Sequence, residues 1–576
     1  GEKQRPEKFS DFRKVLENVT AHPNRRYFIF KSIILNNLFG VDIMEEAVEI
    51  CKLRLFLKLA AQVEPDATKD NFGIEPLPDI DFNIRAGNTL VGYATADEVR
   101  RAFTEGPGGQ TKLLLGDSPE AYQRFEEQVE LADRAFSQFR EMQTEHGMDA
   151  TEFVSAKQTL RDRLKSLEEE LNRQLAGESG IKDPSPSGKG TKGEGDAYAK
   201  WLKSHQPFHW FVEFYGIVNV GGFDVIIGNP PYVELNKLDD YQIRGYACED
   251  SGNLYAVVIE RCAALGQKVG RQGYIVPVSS VSTDRYATFQ QLLIKREDWF
   301  SSYDDRPSRL FNGLEHIRLT IHLIGRPAKS PRLFSTRYTK WISEERDFLF
   351  SKLAFASAVP TLVECTLPKL CSGLEETVIS KLLAQQHKLW TFYSGTGQHR
   401  VFYSRKVGYF LQILNFPPRV LDGKGRSRPP SEFKELNFRN DEHATLALCC
   451  LNSNLCYWFV TVFSDCRHVN KREVDAFPIN LETLAAGASK KQLVELARNL
   501  MNDLQRHSEN RTMRFQHDTL TVQCIYPKSS KPIIDEIDQV LAAYYGFTEE
   551  ELDFIINYDI KYRMGREAGE PQEQSI

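Results

Sequence analysis

The sequence carries no excess of positive charge: 73 Lys and Arg stand against 79 Asp and Glu, a net charge of -6 with an isoelectric point near 6.1. A protein that coats nucleic acid by bulk charge is excluded, so any contact with a polyanion must come from an uneven distribution. The 10 cysteines are scattered, only Cys449 and Cys450 are adjacent, and no Cys-x-x-Cys or Cys/His metal-site spacing occurs. Reduced thiols are therefore the default, no metal is expected, and the expected compartment is cytoplasmic. No apolar run approaches the ~20 residues needed to cross a bilayer, and the N-terminus is too charged for a secretory signal, so no membrane partner is expected. There is no internal repeat. An initiating Met is missing too: the chain opens at Gly1 in a charged segment, and residues preceding it are expected.

What is present is ample core material, 41% apolar residues with 36 Phe, in a length that predicts about three or four domains at ~100 to 200 residues each. The stretch from Tyr27 to Leu38 reads as a mostly apolar helix, "LFGVDI" (Leu38 to Ile43) as a short strand ending in Asp42, and the following twenty residues as a helix. "DFNIRAGNTLVGY" (Asp81 to Tyr93) is a further strand leading to Gly87-Asn88. Strands alternating with helices imply a parallel sheet with ligand sites at the C-terminal strand ends.

Tyr122, Phe125, Val129, Ala132, Phe136 and Phe139 then step by three and four, as do Leu160, Leu164, Leu167 and Leu171, which predicts a pair of helices in coiled-coil register. From Asp117 to Glu178 the balance is 8 basic against 15 acidic residues, a solvated scaffold or partner face rather than one that tracks phosphates. Ser179 to Asp196 reads as a flexible Gly/Ser/Pro/Lys-rich linker. The glycines Gly106 to Gly109 and "SGTGQ" (Ser394 to Gln398) read as turns.

The sheet resumes in "GGFDVIIGNPPYVELNK" (Gly221 to Lys237). Five of the six residues Phe223 to Gly228 are apolar or glycine, which predicts an interior strand, and two prolines stop it on a stiff, exposed corner. Strands at Gly273 to Ser280 and Ile317 to Gly325 complete this fold; from about residue 331 the alternation is lost, and after Leu484 the pattern is helical again. An exocyclic amine on a base is a poor nucleophile because its lone pair is delocalised into the ring. Acceptors aimed at its two hydrogens, the Asn229 side-chain oxygen and the Pro230 carbonyl, would favour the form that attacks, with Tyr232 stacking on the base.

The ordered set "LFGVDI", "AGNTL", "IIGNPPYV" and "GYIVP", with "FHWFVEFYG", "LNSNLCYWFV" and "NYDIKYRMG", resembles the adenine-N6 DNA methyltransferases of restriction-modification systems, of the large gamma type with a C-terminal target-recognition domain. The resemblance covers most of the chain outside the hairpin and linker and implies an α/β fold: a Rossmann-like S-adenosylmethionine-dependent methyltransferase sheet, here split by the helical hairpin insertion that the apolar spacing predicts, with a mixed α+β target-recognition domain and C-terminal helices. With the patterns above, the expected divisions are 1–98 and 201–330 for the methyltransferase domain, 99–200 for hairpin and linker, 331–485 for target recognition and 486–576 for the helical end. Asp42, with Ile43, would bind the ribose of S-adenosylmethionine, and Asn88 its adenine. Asn229, Pro230, Pro231 and Tyr232 would form the catalytic corner acting on a flipped adenine in double-stranded DNA.

The glycine-rich cofactor loop of such enzymes should precede "LFGVDI", and nothing in residues 1–37 matches it. Either the chain is a fragment beginning after that loop, or it is a degenerate homologue without cofactor. The same corner also serves glutamine methylation in proteins, by shorter enzymes. The rival of another class is a non-catalytic DNA-binding specificity or interaction subunit.

Thr396 to Pro430 is the expected DNA-facing stretch, with Arg400, Arg405, Lys406, Arg419, Lys424, Arg426 and Arg428 against Asp422 alone and five aromatics interleaved; a solvated loop over core aromatics is the alternative. "CRHVNKRE" (Cys466 to Glu473) is a second basic cluster, and His468 reads as non-metal. No nuclease site is recognisable; cleavage is expected from a preceding part or another subunit.

Overall fold

The computed structural model describes residues 10–68, 72, 74–105, 118–144, 150–181, 192–238, 241–330, 332–358, 361–395, 398–514 and 519–565. They form two units, one of residues up to 225 with 233–249 and 257–270, the other of 226–232, 250–256 and 271 onward. Gly106 to Gly109 and residues 182–191 of the expected linker lie outside the described residues.

In the first unit β1 (Gly40–Asp42) and β2 (Ile84–Ala86) pair in parallel, Asp42 opposite Ala86. A parallel pair needs a long crossover, and the helix Glu45–Ala60 supplies it, burying Val48 and Leu59 against Tyr27, Ile34, Leu35 and Ile84. On another side of this helix Ile50, Leu53 and Leu57 are left 57, 57 and 61% exposed at three- and four-residue spacing, an apolar stripe that no described element covers.

The helices Ser118–Met142 and Ala150–Glu178 carry the ten apolar residues of the predicted register, all buried in one cluster. Phe139, late in the first helix, stacks on Phe153, early in the second, so the chain turns back on itself. Lys157 holds this hairpin to the preceding loop through ion pairs with Asp79 and with Asp81, the latter at 2.7 Å. Burial opposes ionisation of Asp81, but hydrogen bonds from Lys157 and Lys52 outweigh it and hold the carboxyl at about 2. The helix Lys192–His205 takes in the last five residues of the predicted linker, because Trp201, 5% exposed, anchors a helix that composition alone concealed.

Most of a six-stranded sheet lies in the second unit: β3 (Phe223–Gly228), β4 (Gly266–Pro277), β5 (Arg296–Tyr303), β6 (Leu319–Pro327), β7 (Arg332–Thr339) and β8 (Ala356–Ser357), in the order β3-β4-β6-β5-β7-β8, with residues 223–225 and 266–270 assigned to the first. It departs from the sequence-based expectation in three ways. The sheet is mixed rather than parallel: β6 runs antiparallel to both β4 and β5, β7 runs antiparallel to β8, and from β4 to β8 only β5 with β7 is a parallel pair. It does not end near residue 325, since β7 and β8 extend it past the expected domain boundary. Nor is β3 interior; it is an edge strand with Val225 63% and Ile227 80% exposed, its apolar side chains left without a second flanking strand among the described residues.

Further along, β9 (His399–Ser404), β10 (Ile413–Leu414) and β13 (Phe433–Phe438) form a sheet in the order β10-β9-β13. Another, in the order β12-β11-β15-β14, joins β11 (Val420–Leu421) and β12 (Ser427–Arg428) to β14 (Glu509–Arg514) and β15 (Thr519–Cys524). The last two strands interrupt the expected helical end. "ENRTMR" is polar on both faces, so no hydrophobic period announces it.

The core here surrounds the helix Asn454–Phe463, all ten residues of which are buried. Its start is fixed by Asp538, which accepts hydrogen bonds from the Asn454 and Leu455 backbone N–H groups at 2.9 and 3.0 Å. The helix Lys531–Tyr545 ends on Gly546 at φ 69°, the left-handed cap that glycine adopts without strain. Thr548 and Glu551 then form a capping box.

Candidate functional site

In the first unit the parallel register brings the tips of β1 and β2 side by side. The Gly87 N–H donates to the Asp42 carbonyl at 2.9 Å, so Asp42 and the Gly87-Asn88 turn emerge together. Gly87 has no room for a side chain, since a Cβ there would lie 2.8 Å from the Phe208 ring. The Asp42 carboxylate is exposed, with Oδ1 accepting the Met44 N–H at 2.8 Å just ahead of the helix Glu45–Ala60. Helix N-termini favour negative charge, which suits a carboxylate held there. Ile43 beside it is 38% exposed.

Asn88 is 3% exposed. Its Oδ1 accepts the Leu90 N–H at 3.1 Å and its backbone N–H donates to the Gln206 carbonyl at 2.8 Å, so the turn is rigid. Its Nδ2 is buried and has no partner among the described residues, a position that costs about 1 to 3 kcal/mol unless an acceptor arrives.

The corner after β3 lies in the second unit. Asn229 and Pro231 are exposed, Pro230 is buried and Tyr232 is half-buried. The Tyr232 hydroxyl reaches Asn229 Oδ1 at 3.1 Å and the Ile275 carbonyl of β4 at 2.9 Å. Its ring meets the fully buried Tyr255 ring edge-on, centroids 6.2 Å apart at 90°, and packs on the cluster of Tyr303, Leu310, Leu319, Trp341 and Leu349. Burial pushes the Tyr232 hydroxyl up to about 12, so at neutral pH it is a proton donor. Tyr255 and Ile275, which hold the corner, are not distinguished by the sequence. A tyrosine opening a helical pattern and a backbone carbonyl leave no signal.

The seven basic residues of the Thr396–Pro430 stretch do not share one surface element. Arg400 lies on β9, 3.6 Å from Glu435, and Lys406 makes a backbone bridge with His468. Arg419, Lys424, Arg426 and Arg428 flank or belong to the β11–β12 hairpin. Its turn is organised by Asp422, which accepts the Lys424 and Arg426 N–H groups, both at 2.9 Å. The aromatics there are mainly core: Tyr403 and Phe410 are buried, with Tyr409 and Phe416 packed against them. In the second basic cluster Arg472 binds the Ser282 carbonyl and Lys471 pairs with Asp475, so both have structural partners. Thr396 and Gly397 of "SGTGQ" lie outside the described residues. Among the described residues no group of three or more His, Cys, Asp or Glu converges as a metal site.

Residues 36–311 match the family described as Eco57I restriction-modification methylase. Asp42, Ile43, Asn88 and the corner residues all fall inside that span; residues beyond 311 fall outside it. A putative type II restriction enzyme and methyltransferase of Methanocaldococcus jannaschii is 29% identical over 287 residues, 46% of this chain and 24% of the relative. The chain therefore spans about a quarter of that relative's length. Among solved structures, the type IIG restriction endonuclease BpuSI aligns at 11% identity and TM-score 0.20 over 59% of this chain and 54% of its own. A modification subunit of a putative type I restriction enzyme from Vibrio vulnificus aligns at 12% and 0.19 over 59% and 87%. At such scores the superpositions carry no weight for the fold. The sequence matches support a methyltransferase of restriction-modification type.

Proposed function

We propose that this chain is the modification part of a restriction-modification or related phage-defence system and methylates adenine N6 at specific sites in double-stranded DNA. The observation that carries this reading is the corner Asn229-Pro230-Pro231-Tyr232: a neutral amide exposed at a strand end, held by a tyrosine hydroxyl, within the span similar to restriction-modification methylases. Bound S-adenosylmethionine supplies an electrophilic methyl group on a sulfonium. The chain's residues offer a donor and acceptor set that fits it. The Asp42 carboxylate can accept two ribose hydroxyls, and the orphaned Asn88 Nδ2 can donate to a ring nitrogen.

On the corner, Asn229 Oδ1 and the Pro230 carbonyl accept the two hydrogens of the exocyclic amine and localise its lone pair. Tyr232 donates its hydroxyl proton to hold the amide oxygen, and its ring offers a stacking surface to the base. An adenine reaches such a corner only after leaving the duplex, so a DNA-reading region is required; residues from about 331 onward supply it. The test is single-molecule detection of modified bases in a methylation-free bacterial host expressing the full-length gene. Methylated adenine in one sequence context, lost in Asn229→Ala with DNA binding retained, is the expected result. Unmodified DNA from soluble protein overturns it in favour of a non-catalytic DNA-binding subunit.

A further inference from the structure

The sheet β12-β11-β15-β14 unites two hairpins about 90 residues apart in sequence, 420–428 and 509–524. Directly paired residues of an antiparallel sheet share a face, and neighbours along a strand alternate. Arg428, Val420, Val522 and Arg511 are in register and share one face; Ser427, Leu421, Thr521 and Thr512 share the other. The first face is packed in part: Val420 and Cys524 are buried, while Arg428, Glu509 and Arg511 on it are exposed. The second presents Asn510, Thr512 and Arg514 from β14, and Thr519, Thr521 and Gln523 from β15. Arg419 adjoins it through its N–H to the Gln523 side-chain oxygen, at 3.2 Å.

Among the described residues this second face has no acidic side chain. Residues 419–428 and 509–514 hold six Lys and Arg against Asp422 and Glu509, in a chain of net charge -6. Of those two acids, Asp422 is buried in its turn and bound to Arg426 at 2.8 Å, and Glu509 lies on the first face, exposed and paired with Arg511 at 3.4 Å. What remains is a polar surface in which the Thr512 and Thr521 hydroxyls share a hydrogen bond at 3.1 Å and Gln523 Nε2 donates to Ser508 at 3.0 Å, with half-buried Leu421 among them and Arg419 and Arg514, both exposed, at its sides. Hydroxyls and amides hydrogen-bond to phosphate and base edges alike, while arginine neutralises phosphate.

We infer that this face, completed by the C-terminal hairpin rather than by the basic stretch alone, docks on duplex DNA. The inference takes its partner from the function proposed above, but binding rather than methylation tests it. In the full-length protein, the dissociation constant for duplex DNA is measured by fluorescence anisotropy across a salt series. Arg419→Ala/Arg514→Ala should weaken binding about tenfold at moderate salt and reduce the salt slope by about two, since each phosphate contact contributes roughly 0.9. Arg511→Ala, on the same strand but the opposite face, should leave both unchanged, and Arg419→Lys/Arg514→Lys should retain the slope. Equal losses in Arg511→Ala would reduce the effect to bulk charge and overturn the inference; so would an unaltered slope in the double alanine variant. If that variant binds normally while Asn229→Ala stops methylation, the inference fails and the proposed function stands. Weakened binding beside unmethylated wild-type DNA means the reverse: the docking face stands and the proposed function fails.

Discussion

Asn229 Oδ1 and the Tyr232 hydroxyl lie 3.1 Å apart, with the same hydroxyl 2.9 Å from the Ile275 carbonyl. A hydroxyl has one hydrogen, so Tyr232 ties the amide to β4 by sharing it between two acceptors. The tyrosine thus combines positioning of its neighbour with an aromatic surface.

These two contributions separate by substitution. Tyr232→Phe keeps the ring and loses the tie, and a single hydrogen bond of about 1 kcal/mol corresponds to a methylation rate lower by about tenfold or less. Tyr232→Ala removes the stacking surface as well, worth roughly 1 to 3 kcal/mol per base, and should cost a further ~10- to 100-fold. Single-turnover rates on a duplex substrate check this. Equal losses in the two variants would leave the ring without a role.

Asp42→Ala addresses the other tip. The residue is exposed and its Oδ1 makes one backbone hydrogen bond, so the fold should be kept. Losing a charge-assisted contact of about 1.5 to 3 kcal/mol should weaken binding of S-adenosylhomocysteine about 10- to 100-fold by titration calorimetry. Unchanged affinity would remove Asp42 from the proposed cofactor site.

Burial raises Asp538 to about 6 despite its hydrogen bonds from Asn454 and Leu455. A carboxyl with a folded-state pKa above its unfolded value of 3.8 contributes stability that is present at low pH and lost as pH rises through about 6. A rise of that size corresponds to roughly 3 kcal/mol. Asp538→Asn, which cannot ionise, should therefore gain on the wild type by about that amount between pH 4 and 7 in urea unfolding. A pH-independent difference would contradict the assignment.

Asp81 has the opposite sign. Held at about 2 by Lys157 and Lys52 against the effect of burial, it contributes stability above its unfolded pKa that is lost as pH falls toward 2. Its side chain is 41% exposed, so screening limits the effect. Lys157→Met should cost about 1 kcal/mol at neutral pH and loosen the hairpin, seen as faster amide exchange in the helix Ala150–Glu178.

The hairpin was legible in the sequence because ten apolar residues repeat at helical spacing. The strand ends at Asp42 and Gly228 were marked by a charge and by two prolines. Sheet membership was not legible. Whether Val225 and Ile227 are covered depends on neighbours far away in sequence, and an apolar composition does not report their presence. The β14–β15 hairpin escaped notice for the converse reason: Thr, Asn and Arg on an exposed strand leave no period to detect. At the corner, residue types were readable, while the tie from Tyr232 to Ile275 needed the β4 backbone in place.

The edge position of β3 gives its two prolines a second consequence. An edge strand offers unpaired N–H and C=O groups to which another strand can add, and apolar residues as exposed as Ile227, at 80%, invite it. Proline donates no ladder hydrogen bond, so any such added ladder loses its donors from Pro230 onward. Whatever zips onto this edge, Asn229 stands at the end of the zipper.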